Sequence, residues 1–560
     1  MTNAYKADTT VFRDHLSEEI FNNKYKHEGC ETWPELANTL VDDVCSGLLD
    51  KTDMDTLKWM IATMRFIPGG RYLYYAGRKR KFFNNCFLLG TTEDTREQWA
   101  KSVHDSTMCL MTGGGIGIDY SVLRPSGAPL GGTGGIASGP IDLMKAINNI
   151  GRTVMQGGSR RSAIYASLSC DHDDVLKFLK AKDWHNQSIV GTNLSVAQAK
   201  EANFNYEADL DMTNISINWN TKWLTDYWDT GELSKVWMSN VEQALRTGEP
   251  GFSFNFFDKE KETLRNACTE VTSEDDGDVC NLGSLNMSRI ENLKEFSMCT
   301  EVATKFLLCG TVKSELPYDQ IYKTRDKNRR LGLGLMGIHE WLLQRQETYE
   351  VTPELKRWLH VYKNVSEKAS KKGADEMGLS CPVANRAIAP TGSIAILAST
   401  TSGIEPLFAV AYKRRFLKAK KWTYQYVVDS AAHNVIERYG VDPDKIESSL
   451  DLAENYEKRM AFQADIQDFV DMSISSTINL PSWGSKLNNP DTVRPFAETL
   501  AKYAHRLRGF TCYPDGARGG QPLTSVPYAE AKGKLGKNFE EGMEAHDLCE
   551  ITGKGGTCGV

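Results

Sequence analysis

Several familiar signals are missing from these 560 residues, and each absence narrows the reading. No apolar run approaches the ~20 residues that a membrane-spanning helix needs; the longest are short blocks such as Ser393 to Ala398. Met1 to Leu16 is polar and charged rather than leader-like, so the chain is expected in the cytoplasm. Basic charge is not in excess: 66 Lys and Arg stand against 73 Asp and Glu, a net −7. That argues against a surface for a nucleic acid polymer, but a few local donors would still suffice for a nucleotide monomer. There is no CxxC pair and no HExxH, and the ten histidines are scattered, so no metal site is expected. No repeat, low-complexity tract or Ser/Pro linker divides the chain.

What is present points to a large folded body. With 41% hydrophobic and 25% charged residues, there is ample apolar surface to offset chain entropy. Thirteen cysteines are an odd number in a chain without a leader, which suggests reduced thiols rather than a disulfide scaffold. Packing is the default fate of such thiols.

The first 60 residues read as helical. Thr32-Trp-Pro-Glu35 offers an N-cap, a Pro near the helix start and a capping-box carboxylate, and Leu36, Leu40, Val44 and Leu48 recur on one face. From Ile67 the texture changes to alternating strand-like and helical segments, continuing to about residue 530 as one α/β body. Phe82 to Gly90 reads as a buried strand carrying Cys86, and residues 113–139 hold ten glycines. Glycines so dense suit backbone that passes close to something else, or loops that move. Residues 531–560 read as a mobile tail.

Two segments carry candidate chemistry. In Asn266-Ala-Cys-Thr-Glu270, residues 266, 268 and 270 would share one face of extended backbone, placing an amide, a thiol and a carboxylate together. A surface loop with one buried cysteine explains the same pattern. Ala389-Pro-Thr-Gly-Ser-Ile394 places small hydroxyl residues and Gly before a helical run, which makes a phosphate cradle or simply a capped helix. Gly132-Thr-Gly-Gly-Ile-Ala137 matches GxGxxA but follows no strand, so a dinucleotide fold is not expected there.

Taken together and in order, the motifs NNCFLLG (84–90), GGGIGIDYSVLRP, NACTE (266–270), CNLGSLN (280–286), RRLGLGLMGIHEWL (329–342), APTGSI (389–394), SGIEPLF (402–408) and DMSISSTINLP (471–481) resemble the catalytic subunit of ribonucleotide reductases over about residues 60 to 530. The resemblance implies a ten-stranded α/β barrel of two five-stranded parallel halves, antiparallel to each other, with a central finger loop. Residues 61–530 would form it, after a helical segment at 1–60 and before the tail. It implies a thiyl radical on Cys268 that takes the 3′ hydrogen of a ribonucleotide, Glu270 as base for the 3′-OH, and Asn266 on the ribose hydroxyls. Cys86 and Cys280 would protonate the departing 2′-OH and supply two electrons, ending as a disulfide.

The same resemblance implies substrate contacts at Asn85, Pro390, Thr391, Gly392, Ser393 and Ile394. It implies a deoxynucleotide effector near Asp94 and Arg124, with Gln156 and Arg160 on the loop that relays its identity. Cys549 and Cys558 would relay electrons from a thioredoxin- or glutaredoxin-type partner, although their spacing of nine is wider than the family's usual close pair. Tyr513 follows Cys512 rather than a second tyrosine, which breaks the dyad expected of a subunit fed by a separate metal-containing protein. Arg506-Leu-Arg-Gly-Phe510 only roughly matches a glycyl-radical motif, and Gly509 reads as an ordinary turn. Pro68-Gly-Gly-Arg71 and YPDGARGGQPLT (513–524) resemble the adenosylcobalamin-dependent class, whose cofactor keeps its own base and needs no DxHxxG. A homodimer without an overall-activity domain is expected. The alternatives are the same subunit fed by a metal-containing radical generator, and a non-catalytic nucleotide-binding protein on this scaffold.

Overall fold

The structure is a computed structural model that describes residues 11–544, except 85, 133, 155–161, 204–205, 419–420, 518–522 and 536–537. Five strands, Cys86–Gly90, Gly115–Asp119, Ile164–Ser169, Thr213–Trp219 and Gly251–Phe254, pair in parallel in that order. Helices such as Arg96–Met111 and Pro140–Thr153 connect them. The second half starts with Asp278–Asn286 and Leu331–Met336, which also pair in parallel. A short extended segment, 384–388, bridges in parallel to Leu333 on one side and to Ile474 on the other. Thr477–Leu480 and Gly509–Pro514 complete this half.

Two antiparallel seams close the ring. At one, Gly509 faces Ser253; at the other, Cys86 faces Cys280 and Leu88 faces Asp278. The expected ten-stranded barrel of two parallel halves is therefore present. An eleventh short strand, Phe66–Pro68, lies antiparallel to Asp278–Asn286 on its flank.

Strand alternation sorts the side chains into two layers. Phe87, Leu89 and Val279 point outward into a core shared with the helices of the first half. Leu88, Cys280 and Leu282 point inward, where they meet Leu264, Val271 and Met472.

The amino-terminal stretch folds as read: helix Trp33–Cys45 opens on a capping box, with the Thr32 N–H donating to Glu35 Oε2 at 3.0 Å. Leu36, Leu40 and Val44 are fully buried, each such side chain being worth about 1.5–3 kcal/mol of burial. They share one continuous core with the second barrel half, including Phe306, Leu333 and Trp341.

The carboxy-terminal part differs from the reading. Ala411–Lys418, Lys421–Val428, Leu523–Ser525 and Asn538–Glu544 form a four-stranded antiparallel sheet, so the stretch taken as the start of a tail holds a paired strand. Asn538–Glu544 carries three glutamates and a glycine, which give no strand signal of their own. Among the described residues no helix is long and apolar enough to cross a membrane.

Candidate active site

The loop between Phe254 and Asp278 enters the barrel as a small hairpin, Leu264–Arg265 against Thr272–Ser273. Its tip is residues 266–271. The passage is tight: a Cβ on Gly117 would stand 1.7 Å from the Arg265 carbonyl oxygen, so no side chain fits at that position. Two of the ten clustered glycines, Gly115 and Gly117, thus line the path of the finger loop, while Gly127, Gly131, Gly132 and Gly134 face open space.

Arg265 is fully buried and clamps the loop from within. Its guanidinium donates to Asn255 Oδ1 at 2.9 Å, to the Phe254 carbonyl at 3.2 Å and to the Thr269 carbonyl at 3.4 Å. Burial without a directly bonded carboxylate pulls its pKa down to about 9, and neighbouring Arg508 adds to the effect.

The tip is a turn rather than the extended segment that alternation predicted. The Thr269 N–H donates to the Asn266 carbonyl at 2.9 Å, and Thr269 adopts φ +68°. The Asn266 side chain closes the turn by accepting from the Val271 N–H at 3.0 Å. With its amide nitrogen it donates to Cys86 Sγ at 3.1 Å. Asn266 of the predicted trio thus reaches Cys86 by folding of the tip, not by a shared strand face.

Cys86 and Cys280 lie 194 residues apart in sequence yet are direct partners across an antiparallel seam. Directly opposed residues carry Cβ atoms about 4.5–5.5 Å apart, from which a slight approach of the strands reaches the roughly 3.5–4.5 Å of a disulfide. Cys86 is 7% and Cys280 1% exposed, whereas Cys268 is only partly buried. Burial pushes the Cys280 thiol well above its usual range; Arg330 opposes this, while Asp278, Glu270 and Cys86 reinforce it. Gly332 makes room for this thiol, since a Cβ there would lie 2.9 Å from Cys280 Sγ.

Sequence reasoning missed the frame around this pair. Asn84 donates to Asn281 Oδ1 and accepts from the Ser314 hydroxyl, and Asn281 in turn donates to the Leu307 carbonyl at 3.2 Å. These buried amides brace the seam beside both cysteines, and the only sequence signal was an asparagine within two residues of the cysteine in each motif.

Hydrogen bonds connect the tip to the cradle. The Glu270 carbonyl accepts from the Ser473 N–H at 2.8 Å, and the Ser473 carbonyl accepts from the Ile388 N–H at 3.2 Å. Ile388 ends the bridging segment, and Pro390, Thr391, Gly392, Ser393 and Ile394 follow at once. Thr391 caps the helix Gly392–Ala398 with φ +54°, and its hydroxyl accepts from the Gly403 N–H at 2.8 Å, tying two motifs together. Glu405 then pairs with Arg459 at 2.5 Å and accepts from the Thr477 N–H at 2.9 Å. The predicted effector residues Asp94 and Arg124 form a half-exposed ion pair at 2.5 Å. Asn85, Gln156, Arg160, Cys549 and Cys558 lie outside the described residues.

One reading of the carboxy-terminal motif changes. Gly509 is not a turn: it starts a strand and faces the finger tip, where its Cβ would stand 3.8 Å from Thr269 Oγ1. Cys512, which precedes Tyr513, is buried in the outer core.

The barrel with its threaded loop is the fold of ribonucleotide reductase catalytic subunits. It superposes on the Actinobacillus ureae class Id ribonucleotide reductase alpha subunit with a TM-score of 0.68 over 90% of this chain and 97% of that one, at 16% identity. The chain belongs to the ribonucleotide reductase family, whose barrel-domain model matches residues 84–381 and 384–513. Relatives include the vitamin B12-dependent ribonucleoside-diphosphate reductase of Thermoplasma acidophilum, 27% identical over 516 residues, covering 83% of this chain and 66% of that protein. The enzyme of the same name from Mycobacterium tuberculosis is 26% identical over 520 residues, covering 83% and 72%. The chain thus spans about two-thirds of the length of the first of these relatives.

Proposed function

We propose that this chain reduces ribonucleotides to 2′-deoxyribonucleotides, using adenosylcobalamin as radical source and the Cys86/Cys280 pair as reductant. The observation that carries this reading is the seam register that sets those two thiols directly opposite each other, with Asn266 of the finger tip donating to one of them.

Each residue has a task in the chemistry. A thiyl radical on Cys268 takes the 3′ hydrogen, Glu270 accepts the 3′-OH proton, and Asn266 orients the ribose hydroxyls. The 2′-OH leaves as water after protonation by a thiol of the pair. Two electrons and two protons from Cys86 and Cys280 replace it with hydrogen and leave a disulfide, and Cys268 then returns its hydrogen to the 3′ carbon and becomes the thiyl radical again. Keeping Cys280 fully protonated at neutral pH, as burial does, suits a hydrogen donor rather than a nucleophile.

Adenosylcobalamin suits these residues. It would need no protein ligand, only an open approach to the radical cysteine. Cys268 is the most open of the three thiols. Gly509 presents no side chain to the tip, and the buried Ser473 hydroxyl beside it lies 3.1 Å from where a Cβ would stand. Gly509 stands beside Thr269, the neighbour of Cys268, and these residues would face the cofactor. When bound, it supplies a carbon-centred radical by homolysis of its cobalt–carbon bond.

Substrate phosphates would sit on residues 390–394, with Asn85 as a further contact. A deoxynucleotide effector would bind near Asp94 and Arg124 of a homodimer, with Gln156 and Arg160 relaying its identity. Cys549 and Cys558 would return the pair to dithiol with electrons from a thioredoxin- or glutaredoxin-type protein.

The test is to incubate the pure chain with adenosylcobalamin, dithiothreitol, a ribonucleotide and a deoxynucleotide effector. Deoxynucleotide is expected without any second protein, and none from Cys268→Ser. Product only after a metal-loaded partner protein is added would assign the chain to the subunit-dependent class instead. No product under either condition would leave a nucleotide-binding protein on the same scaffold.

A further inference from the structure

The segment 13–25 lies along the short helix Gly392–Ala398. Arg13 donates to the Ser399 carbonyl at 3.3 Å and pairs with the buried Glu340 at 2.5 Å. The Ser17 hydroxyl donates to the Leu397 carbonyl. At the other end of the helix, Lys24 Nζ donates to the Ser393 hydroxyl at 3.2 Å. The segment therefore runs antiparallel to the helix and delivers Lys24 to the cradle.

Local structure explains why Lys24 reaches it. Residues Phe21–Tyr25 form a π-helical turn continuing from helix His15–Ile20, a geometry that occurs disproportionately at functional sites. Phe21 and Tyr25 are buried, Asn22 and Asn23 are exposed, and Lys24 is half-buried between the two environments. The Tyr25 hydroxyl stands 3.0 Å from a Cβ position on Gly70, which seats the turn on Pro68–Arg71.

The Lys24 ammonium and the Ser393 hydroxyl are both donors at this point. Because the Ser393 oxygen accepts from Lys24, its own O–H remains to be donated. Gly392 has open space where a side chain would stand. An ammonium, a polarised hydroxyl and free backbone N–H groups suit a polyanion. The charge comes from Lys24; a helix end of seven residues contributes little by comparison.

We propose that Lys24 is a specificity-determining residue that binds the terminal phosphate of the ribonucleotide substrate. This rests on the reading of residues 390–394 as the phosphate cradle. It gives the amino-terminal helical region a part in substrate selection, favouring nucleoside di- or triphosphates over ligands without phosphate.

The experiment compares wild type with Lys24→Met, Lys24→Gln and Lys24→Arg, with melting temperature as the check on folding. Both neutral variants should raise KM for the phosphorylated substrate about tenfold or more, with kcat at saturation within about twofold of wild type. Calorimetric titration of the nucleotide without cofactor should weaken by the same factor, binding of the unphosphorylated ribonucleoside should not change, and Lys24→Arg should recover most of the loss. An unchanged KM in both neutral variants would overturn the proposal while leaving the cradle in place. Equal weakening toward nucleoside and nucleotide would overturn it too, by reducing Lys24 to a structural role. A wild-type chain that binds no ribonucleotide would remove the cradle reading and the proposal together.

Discussion

Thr269 holds φ at +68°, a left-handed conformation that a β-branched side chain adopts only when its surroundings impose it. The imposing contacts are the Thr269 N–H on the Asn266 carbonyl and the Arg265 guanidinium on the Thr269 carbonyl. They grip the residue that stands between Cys268 and Glu270, the proposed radical cysteine and the proposed base. Thr269→Gly removes the strain, so the variant should unfold later by about 1 kcal/mol in a denaturant titration. It should also turn over more slowly, because the freed backbone no longer fixes Cys268. A variant less stable than wild type would show that the conformation carries no strain.

This is also where sequence reading stopped short. Asn266, Cys268 and Glu270 were recognisable by type and spacing. Their arrangement was not, because a two-residue period describes extended backbone and the tip is a turn closed by a side chain. Asn84 and Asn281 escaped notice for a related reason: their partners lie far away in sequence, and a nearby cysteine is all that marks them locally.

At the scale of elements, the finger loop and the strands beside it depend on each other. Gly117 sits where the loop passes, and its missing side chain is the space that Arg265 occupies. Gly117→Ala should therefore cost about 3 kcal/mol or more, since backbone on both sides leaves nothing flexible to yield. Gly392→Ala, which would meet nothing within 4 Å, is the control for stability and should change it little. Equal melting temperatures for the two variants would mean that the loop does not thread the barrel as described.

The glycine cluster was visible in sequence as a demand for close approach, but which glycines met it was not. The sheet formed with Asn538–Glu544 was invisible because its strand has the composition of a loop and is held by partners more than 110 residues earlier. The Thr32 capping box was fully legible, since every participant lies within four residues.

For the molecule as a whole, closure of the barrel is what makes the chemistry available. Two parallel halves meet at antiparallel seams, and only there can residues 86 and 280 become direct partners. The amino-terminal helices belong to the core of the second half, so they pack as part of the barrel rather than as an appendage. The ordered motifs made the barrel legible through family resemblance. Composition and periodicity alone gave only a large α/β body.

The most direct test of the account uses the chain carrying Cys549→Ser and Cys558→Ser, so that no tail thiol can reset the site. It is fully reduced, freed of external reductant, and given adenosylcobalamin, effector and excess ribonucleotide for a single turnover. Free thiols are then blocked, and the protein is digested and mapped by mass spectrometry. The account predicts one Cys86–Cys280 disulfide for each deoxynucleotide formed, with Cys268 recovered as a free thiol. Deoxynucleotide formed while Cys86 and Cys280 both remain free would contradict it.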